Sequence, residues 1–195
     1  MLALVVEPPV TPVVIPVGAW LLDVAHEADV DAIAEALADT DIATWNPSSQ
    51  VADTQRERAQ RWIADRAAWG SDHASWVVRS PAGRAVGAVS LHHLDHGMLT
   101  AEIGYWLAPE ARGVGVGAAT VDAATRYAFD DLGMLRVELF HAVENTASCR
   151  LAARCGYLLE GTSRQSFVYG DGLRHDEHLH ARLATDAWPP VGPPR

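Results

Sequence analysis

Hydrophobic positions along the chain change period several times. A short apolar run at Trp20-Leu21-Leu22 reads as a strand, and beyond it Val30, Ile33, Ala34 and Leu37 recur at helical spacing within Ala28–Leu37. A second helical stretch, roughly Thr54 to Trp69, sets Ala59, Trp62, Ile63 and Arg66 on one side. The period then shortens. Ser75–Arg79 and Ala85–Leu91 are short apolar segments parted by Ser80-Pro81-Ala82-Gly83-Arg84, whose proline and glycine suit a hairpin turn. Thr100–Leu107 predicts a third strand, with Asp95-His96-Gly97 as the turn before it. Val121, Ala124, Ala128 and Leu132 then mark an amphipathic helix that stops at Gly133. Leu135–Ala142 reads as a strand, Thr146–Cys155 as a helix closed by Gly156, and Tyr157–Gly161 as a strand start. Ser163–Tyr169 and Glu177–Leu183, divided by Gly170-Asp171-Gly172, close the pattern as a hairpin.

This order of strands and helices describes an α/β chain, a mixed sheet with helices packed on it. Its 195 residues suit one domain large enough to bury a core without metals or disulfides. The expected boundaries are an extended lead-in over 1–16, the domain over 17–185 and a proline-rich tail over 186–195. The apolar start carries Glu7 and the helix-breaking Pro8, Pro9, Pro12 and Pro16, with no leading basic residue, so neither an export signal nor a membrane span is expected. Cys149 and Cys155 sit six apart on one helix, a poor geometry for bridging, and read as free thiols of a reducing, cytoplasmic setting.

A formal charge of −10, with arginine the sole strongly basic residue, argues against non-specific nucleic-acid binding and favours cationic partners. The histidines His175, His178 and His180 invite a metal reading, but no acidic or thiol partner stands at matching spacing. Strand histidines lining a pocket or facing solvent are the expectation, with no metal site.

The stretch PEARGVGVGAAT, Pro109 to Thr120, places Gly113, Gly115 and Gly117 between a strand and a helix. Such a turn exposes helix N-terminal N–H groups at the positive end of the helix dipole, where a phosphate can bind. Glycine lets the backbone approach closely, and Arg112 adds charge. Gly113-x-Gly115-x-x-Ala118 also satisfies a dinucleotide-binding pattern, with Glu138 at a spacing suited to a ribose, which would imply a nicotinamide-dependent oxidoreductase. Against it, five residues separate the strand from the first glycine and the unit begins past mid-chain.

Arg112-x-x-Gly115-x-Gly117 resembles the pyrophosphate-binding motif of the GNAT superfamily of acyl-CoA N-acyltransferases. The likeness extends through Ile103-Gly104-Tyr105-Trp106-Leu107-Ala108-Pro109-Glu110, Asn145-x-x-Ser148, Cys155-Gly156-Tyr157 and Gly172-Leu173-Arg174-His175-Asp176, and is similar to the RimJ/RimL-like branch. The resemblance implies a central mixed, mostly antiparallel sheet with helices on both faces and a splayed strand pair holding coenzyme A. It implies acetyl-CoA as donor and an amine acceptor, either a protein N-terminal α-amine or a small cationic amine. Arg112, Gly113, Val114, Gly115, Val116, Gly117 and Ala118 would hold the pyrophosphate, Asn145 the pantetheine, and the N–H near Leu107 the thioester carbonyl.

Direct attack by an amine needs a base and an acid. Glu102, on the face shared with Gly104 and Trp106, is the expected base; His92 and His93 are rivals, and strict pleating would send those two to opposite faces. Many GNAT enzymes supply the acid from a tyrosine further along the helix, where this chain has Leu151-Ala152-Ala153, so the acid role falls to Ser148 or solvent. Asn145 and Ser148 equally suit a plain helix cap. A succinyl-CoA donor, with Arg84, Arg150 or Arg164 at the acyl pocket, and a CoA-sensing module without turnover are the alternatives. Trp45 lies in the region that faces the acceptor in this family. The chain does not disclose its oligomeric state; a homodimer is the commonest arrangement for soluble enzymes.

Overall fold

The computed structural model describes residues 10–47, 54–67, 69–70, 72–192 and 194. Eight strands form one sheet in the order β1-β2-β3-β4-β5-β6-β8-β7: Ile15–Val17 (β1), Trp20–Asp23 (β2), Ala74–Arg79 (β3), Ala85–Asp95 (β4), Thr100–Leu107 (β5), Arg136–Ala142 (β6), Leu158–Val168 (β7) and Arg174–Leu183 (β8). Every neighbouring pair is antiparallel except β5 and β6. The helices are Val30–Leu37 (α1), Thr40–Trp45 (α2), Gln55–Ala67 (α3), Val116–Arg126 (α4) and Thr146–Arg154 (α5).

Strand alternation divides the core into two layers. Trp76, Val89 and Tyr105 stand side by side across β3, β4 and β5 and point toward α4 and α5, where Trp76 meets Tyr127 and Tyr105 meets Ser148. Val77, Ala88 and Trp106 point the other way, and Trp106 packs edge-on against Trp62 of α3. Ala59, Trp62 and Ile63 are the buried stripe of α3, as their spacing predicts, and Arg66 lies over the Trp62 ring. The helix after the glycines changes to a π turn over Tyr127–Asp131, and Gly133 follows at φ +69°, the expected stop.

Several elements differ from the sequence pattern. The described part of the lead-in is tied to the domain: Val10 is buried and Ile15–Val17 is the edge strand β1, while Met1–Pro9 lie outside the described residues. Helix α2, capped by the Asp39 side chain on the Ile42 N–H, has too few turns to show a period. The segments expected as Tyr157–Gly161 and Ser163–Tyr169 are one continuous strand, β7, bulged near Gln165. The tail also packs on the domain: the Trp188 ring lies 3.7 Å from the guanidinium carbons of Arg126 and of the fully buried Arg182. Pro193 and Arg195 are outside the described residues.

A buried ion network fixes α1 to the sheet. Arg79 on β3 reaches both carboxylate oxygens of Asp29, at 2.9 and 3.1 Å, and donates to Asp23 on β2 at 2.9 Å. Burial alone would raise the Asp29 carboxyl, but Arg79 and the His26 N–H donate to it and hold it below its ordinary 3.8. A depressed carboxylate pKa contributes stability that is present above the unfolded value and lost as pH falls through the folded one. Asp29→Asn is therefore expected to lower unfolding free energy by about 2 kcal/mol near neutral pH. In denaturant titrations the gap to the parent should narrow as pH drops below 3.8; a gap that widens on acidification would contradict the network.

Candidate active site

β5 and β6 pair in parallel over Thr100↔Arg136, Ala101↔Val137 and Glu102↔Glu138, and then part. Beyond Glu102 the two strands diverge, and the expected splay is present. The gap opens a cleft of about 720 Å³ on the α4/α5 side, lined by Ile103–Leu107, the glycine loop and the start of α5. On the opposite face a groove of about 560 Å³ is lined by Trp62, Asp65, His92, His93, Glu102 and Glu177. The two cavities share Trp45, Asn46, Ile103, Gly104, Tyr105, Trp106, Phe140 and Tyr169. The sheet is thus open from one face to the other at the split.

Of the predicted loop residues, Arg112, Gly113, Gly115, Gly117 and Ala118 line the cleft, for separate physical reasons, and Val114 and Val116 do not. Gly113 and Gly115 have φ of +78° and +88°, left-handed values that side-chain-bearing residues seldom adopt. Gly115 is the N-cap of α4, so the N–H groups of Val116, Gly117 and Ala118 have no partner within the helix. The side chains of Val116 and Ala118 are core residues and Val114 is half-buried, leaving only backbone to meet a ligand. Gly117 fits between Leu107 and Leu151, each 3.0 Å from where a Cβ would stand.

Arg112 lines the cleft and is also paired within the chain. Its guanidinium donates to the Leu107 carbonyl at 3.0 Å, Asp41 at 3.0 Å and Asp39 at 2.6 Å, so it braces α2 against the loop. With the Ala108 N–H bound to Val86 on β4 and the Leu107 carbonyl turned to Arg112, alternation leaves the Leu107 N–H on the side of the split.

Asn145 caps α5, its Oδ1 accepting the Ser148 N–H at 3.1 Å, so the capping reading holds and the side-chain amide nitrogen still lies at the cleft. Ser148 Oγ lies 2.8 Å from the Tyr105 hydroxyl. Burial raises the Tyr105 pKa far above neutrality, which keeps it a phenol. This tyrosine, on the strand rather than on the helix, was missed as a hydroxyl source; alternation of β5 into the α5 face was the available signal. Arg154, one turn from Arg150 along α5, was also missed, and both line the cleft. Arg84 pairs with Glu35 and Glu110, and it and Arg164 line neither cavity.

On the groove side, a β-bulge between His92 and Asp95, with His93 at φ +49°, rotates His93 out of the pleat. Both imidazoles therefore reach Glu102, His93 Nδ1 at 2.9 Å and His92 Nε2 at 3.6 Å, which corrects the expectation that at most one points inward. Hydrogen bonding from His92, against the opposing effect of burial, holds the Glu102 carboxyl below its ordinary 4.5, with His93 adding to it. Glu102 is an ionised anchor for the histidines. Of the expected aromatic residues, Trp62 is core, while Trp45 lines both cavities against Tyr169 and His175.

The late histidines separate. His175 pairs with Asp171 at 2.9 Å and Glu144 at 3.3 Å. His178 and His180 instead meet His141 and Cys149, a thiol partner that linear spacing did not reveal. Burial lowers the pKa of His141 and of His180.

The family model described as an acetyltransferase (GNAT) domain matches residues 20–158. The chain belongs to the GNAT acetyltransferase family. YdaF of Bacillus subtilis (strain 168), which carries the name of a ribosomal N-acetyltransferase, is 38% identical over 132 residues, 67% of this chain and 69% of that one. The ribosomal-protein-serine acetyltransferase of Escherichia coli (strain K12) is 30% identical over 98 residues, 50% of this chain and 54% of its own. Mycobacterium smegmatis RimJ, solved with CoA-disulfide, superposes with a TM-score of 0.76 at 25% identity, over 92% of this chain and 88% of that one. The protein is thus a RimJ/RimL-like N-acetyltransferase that uses acetyl-CoA. The nicotinamide reading falls, because the glycine loop follows an inner strand of a mixed sheet and Glu138 is held by Arg136 at 2.7 Å. Among the described residues no helix is long and apolar enough to cross a membrane.

Gly115→Ala forces a Cβ into the left-handed region and is expected to lower stability by about 1–2 kcal/mol. Because the strain turns the first N–H groups of α4, calorimetric titration should show coenzyme A binding weakened about tenfold or more. Undiminished affinity in the folded variant would contradict the loop's role.

Proposed function

We propose that the acceptor is the α-amine of a protein chain, entering by the groove on one face of the sheet while acetyl-CoA occupies the cleft on the other. The split between β5 and β6 carries this reading, since it is the place where the two cavities share lining residues. Asp65, Glu102 and Glu177 outnumber the one arginine of the groove, Arg66, and Trp45, Trp62 and Trp106 flank it with aromatic surface, a combination suited to a cationic nitrogen. Relatives named for ribosomal proteins support a protein acceptor. The same acidic lining favours a small cationic amine as the second reading.

The Val116, Gly117 and Ala118 N–H groups are the pyrophosphate donors, Arg150 and Arg154 supply nearby positive charge, and the Asn145 amide nitrogen is the pantetheine contact. The Leu107 N–H polarises the thioester carbonyl. As the amine nitrogen forms its bond to the acyl carbon and the carbon–sulfur bond breaks, the amine proton passes to the Glu102–His92–His93 cluster. Glu102, already ionised and paired, orients the imidazoles as a carboxylate does in an acid–base relay. On the opposite face the Ser148 hydroxyl, oriented by its hydrogen bond to the Tyr105 phenol, gives a proton to the departing sulfur and recovers one from solvent.

Two variants test these roles. Glu102→Gln is expected to lower kcat/KM about 10²–10⁴-fold while coenzyme A affinity is retained. Tyr105→Phe should lower kcat about a hundredfold with KM for the acceptor little changed. Since the Glu102 pKa is held below 4.5, its ionisation is complete well below neutrality and contributes no acid limb to kcat/KM above pH 5. A limb near the ordinary glutamate value that disappears in Glu102→Gln would refute the relay. The acceptor class is settled by following thiol release with ribosomal-protein N-terminal peptides, the same peptides blocked at the α-amine, and polyamines. Turnover confined to unblocked peptides supports the proposal, and turnover confined to polyamines overturns it.

A further inference from the structure

Three imidazoles and a thiol converge where β6, β8 and α5 meet, and acetyl transfer as described above uses none of them. His141 and His178 are direct partners in the β6–β8 ladder, and His180 follows two residues along on the same face. Cys149, early in α5, turns toward them, with Sγ 3.8 Å from His180 Nε2. One ligand atom from each of the four residues lies within 4.8 Å of all the others. A tetrahedral zinc-type site with bonds of about 2.0–2.3 Å has ligand–ligand edges of about 3.3–3.8 Å, so side-chain rotations of an ångström or so would close the set.

The hydrogen bonds around the cluster favour ligation. His141 Nδ1 donates to the Ala142 carbonyl at 2.7 Å, which fixes the tautomer and leaves Nε2 a lone pair that is buried and without a partner. His180 Nδ1 faces the Tyr157 carbonyl at 3.4 Å, leaving Nε2 toward the thiol. His178 Nδ1 is likewise buried and without a partner. Backbone carbonyls behind ligating imidazoles are the usual outer support of a metal site. His141 Nε2, on a side chain only 4% exposed, and His178 Nδ1 would otherwise be left as unsatisfied buried nitrogens.

We propose that His141, Cys149, His178 and His180 form a binding site for a divalent ion of the zinc class, held by three imidazole nitrogens and one thiolate. Four protein ligands make a closed, structural site. On binding, the Cys149 thiol gives up its proton to solvent as the sulfur–metal bond forms. The ion ties α5 to the sheet next to Ser148 and Asn145. The other cluster of metal-binding residue types, His92, His93 and Glu102, is a weaker candidate, because its carboxylate already pairs with both imidazoles and His93 is exposed.

The test uses the full-length protein, stripped with a chelator and dialysed against zinc chloride. One zinc per chain should remain bound and raise the unfolding temperature. With cobalt(II) instead, a thiolate-to-metal charge-transfer band is expected in the near ultraviolet. In competition with a chromophoric chelator, Cys149→Ser and His178→Asn should each weaken zinc binding by about tenfold or more, and His93→Asn should leave it unchanged. Should either cluster variant fail to fold, the cobalt spectrum of the parent protein decides. A cobalt complex without the thiolate band, no retained zinc, or affinity lost with His93→Asn but kept in Cys149→Ser would overturn the proposal.

Discussion

The parting of β5 from β6 after three residue pairs is the constraint on which the site depends. A continuous parallel ladder would satisfy the backbone of Ile103–Leu107 internally and seal the sheet. Ending it at Glu102 leaves main-chain groups facing a gap and opens one face to the other. Helices α4 and α5 then border the gap with their N-termini and the positive ends of their dipoles, α4 with uncapped N–H groups and α5 with its first turn capped by Asn145. On the far side Glu102, the last residue of the ladder, carries the charged cluster. One interruption in hydrogen bonding thereby sets the donor cleft, the acceptor groove and the passage between them.

The remaining contacts hold the edges of that opening. Arg112 ties α2 to the loop through Asp39 and Asp41, and the Gly170 N–H, in the β7–β8 turn, donates to Thr44 from the other direction. Trp45, at the end of α2, is held by Tyr169 and His175 at the mouth shared by both cavities. The rim is thus assembled from segments far apart in sequence, each anchored by a charged pair or an aromatic edge. The sheet behind it carries an apolar layer of Val78, Val89 and Leu91 on one face and Val77 on the other, all with no exposed surface.

Much of the fold was legible because period and punctuation agree: β3 and β4 are short apolar runs between turn residues, and the helix of α4 begins at glycines and stops before one. Helix α2 was not legible, since six residues give too few turns to reveal a period, and β1 was hidden in a proline-rich stretch. The loop glycines could be read as a site because each has a backbone or packing reason to lack a side chain. What escaped was whatever depends on departure from regular geometry or on partners distant in the chain. The bulge at His93 places two adjacent histidines on one carboxylate, against the alternation rule. Tyr105 meets Ser148 across 43 positions, and the cysteine that joins the late histidines comes from a helix 31 positions before His180.

Amide-resolved hydrogen exchange with and without coenzyme A tests the opening most directly. The split predicts slowed exchange on binding at Leu107, where β5 has parted from β6, together with Val116, Gly117 and Ala118 at the start of α4, and little change at amides of β3 paired with β4. Protection that left Leu107 and the first turn of α4 unaltered while coenzyme A bound elsewhere would contradict it.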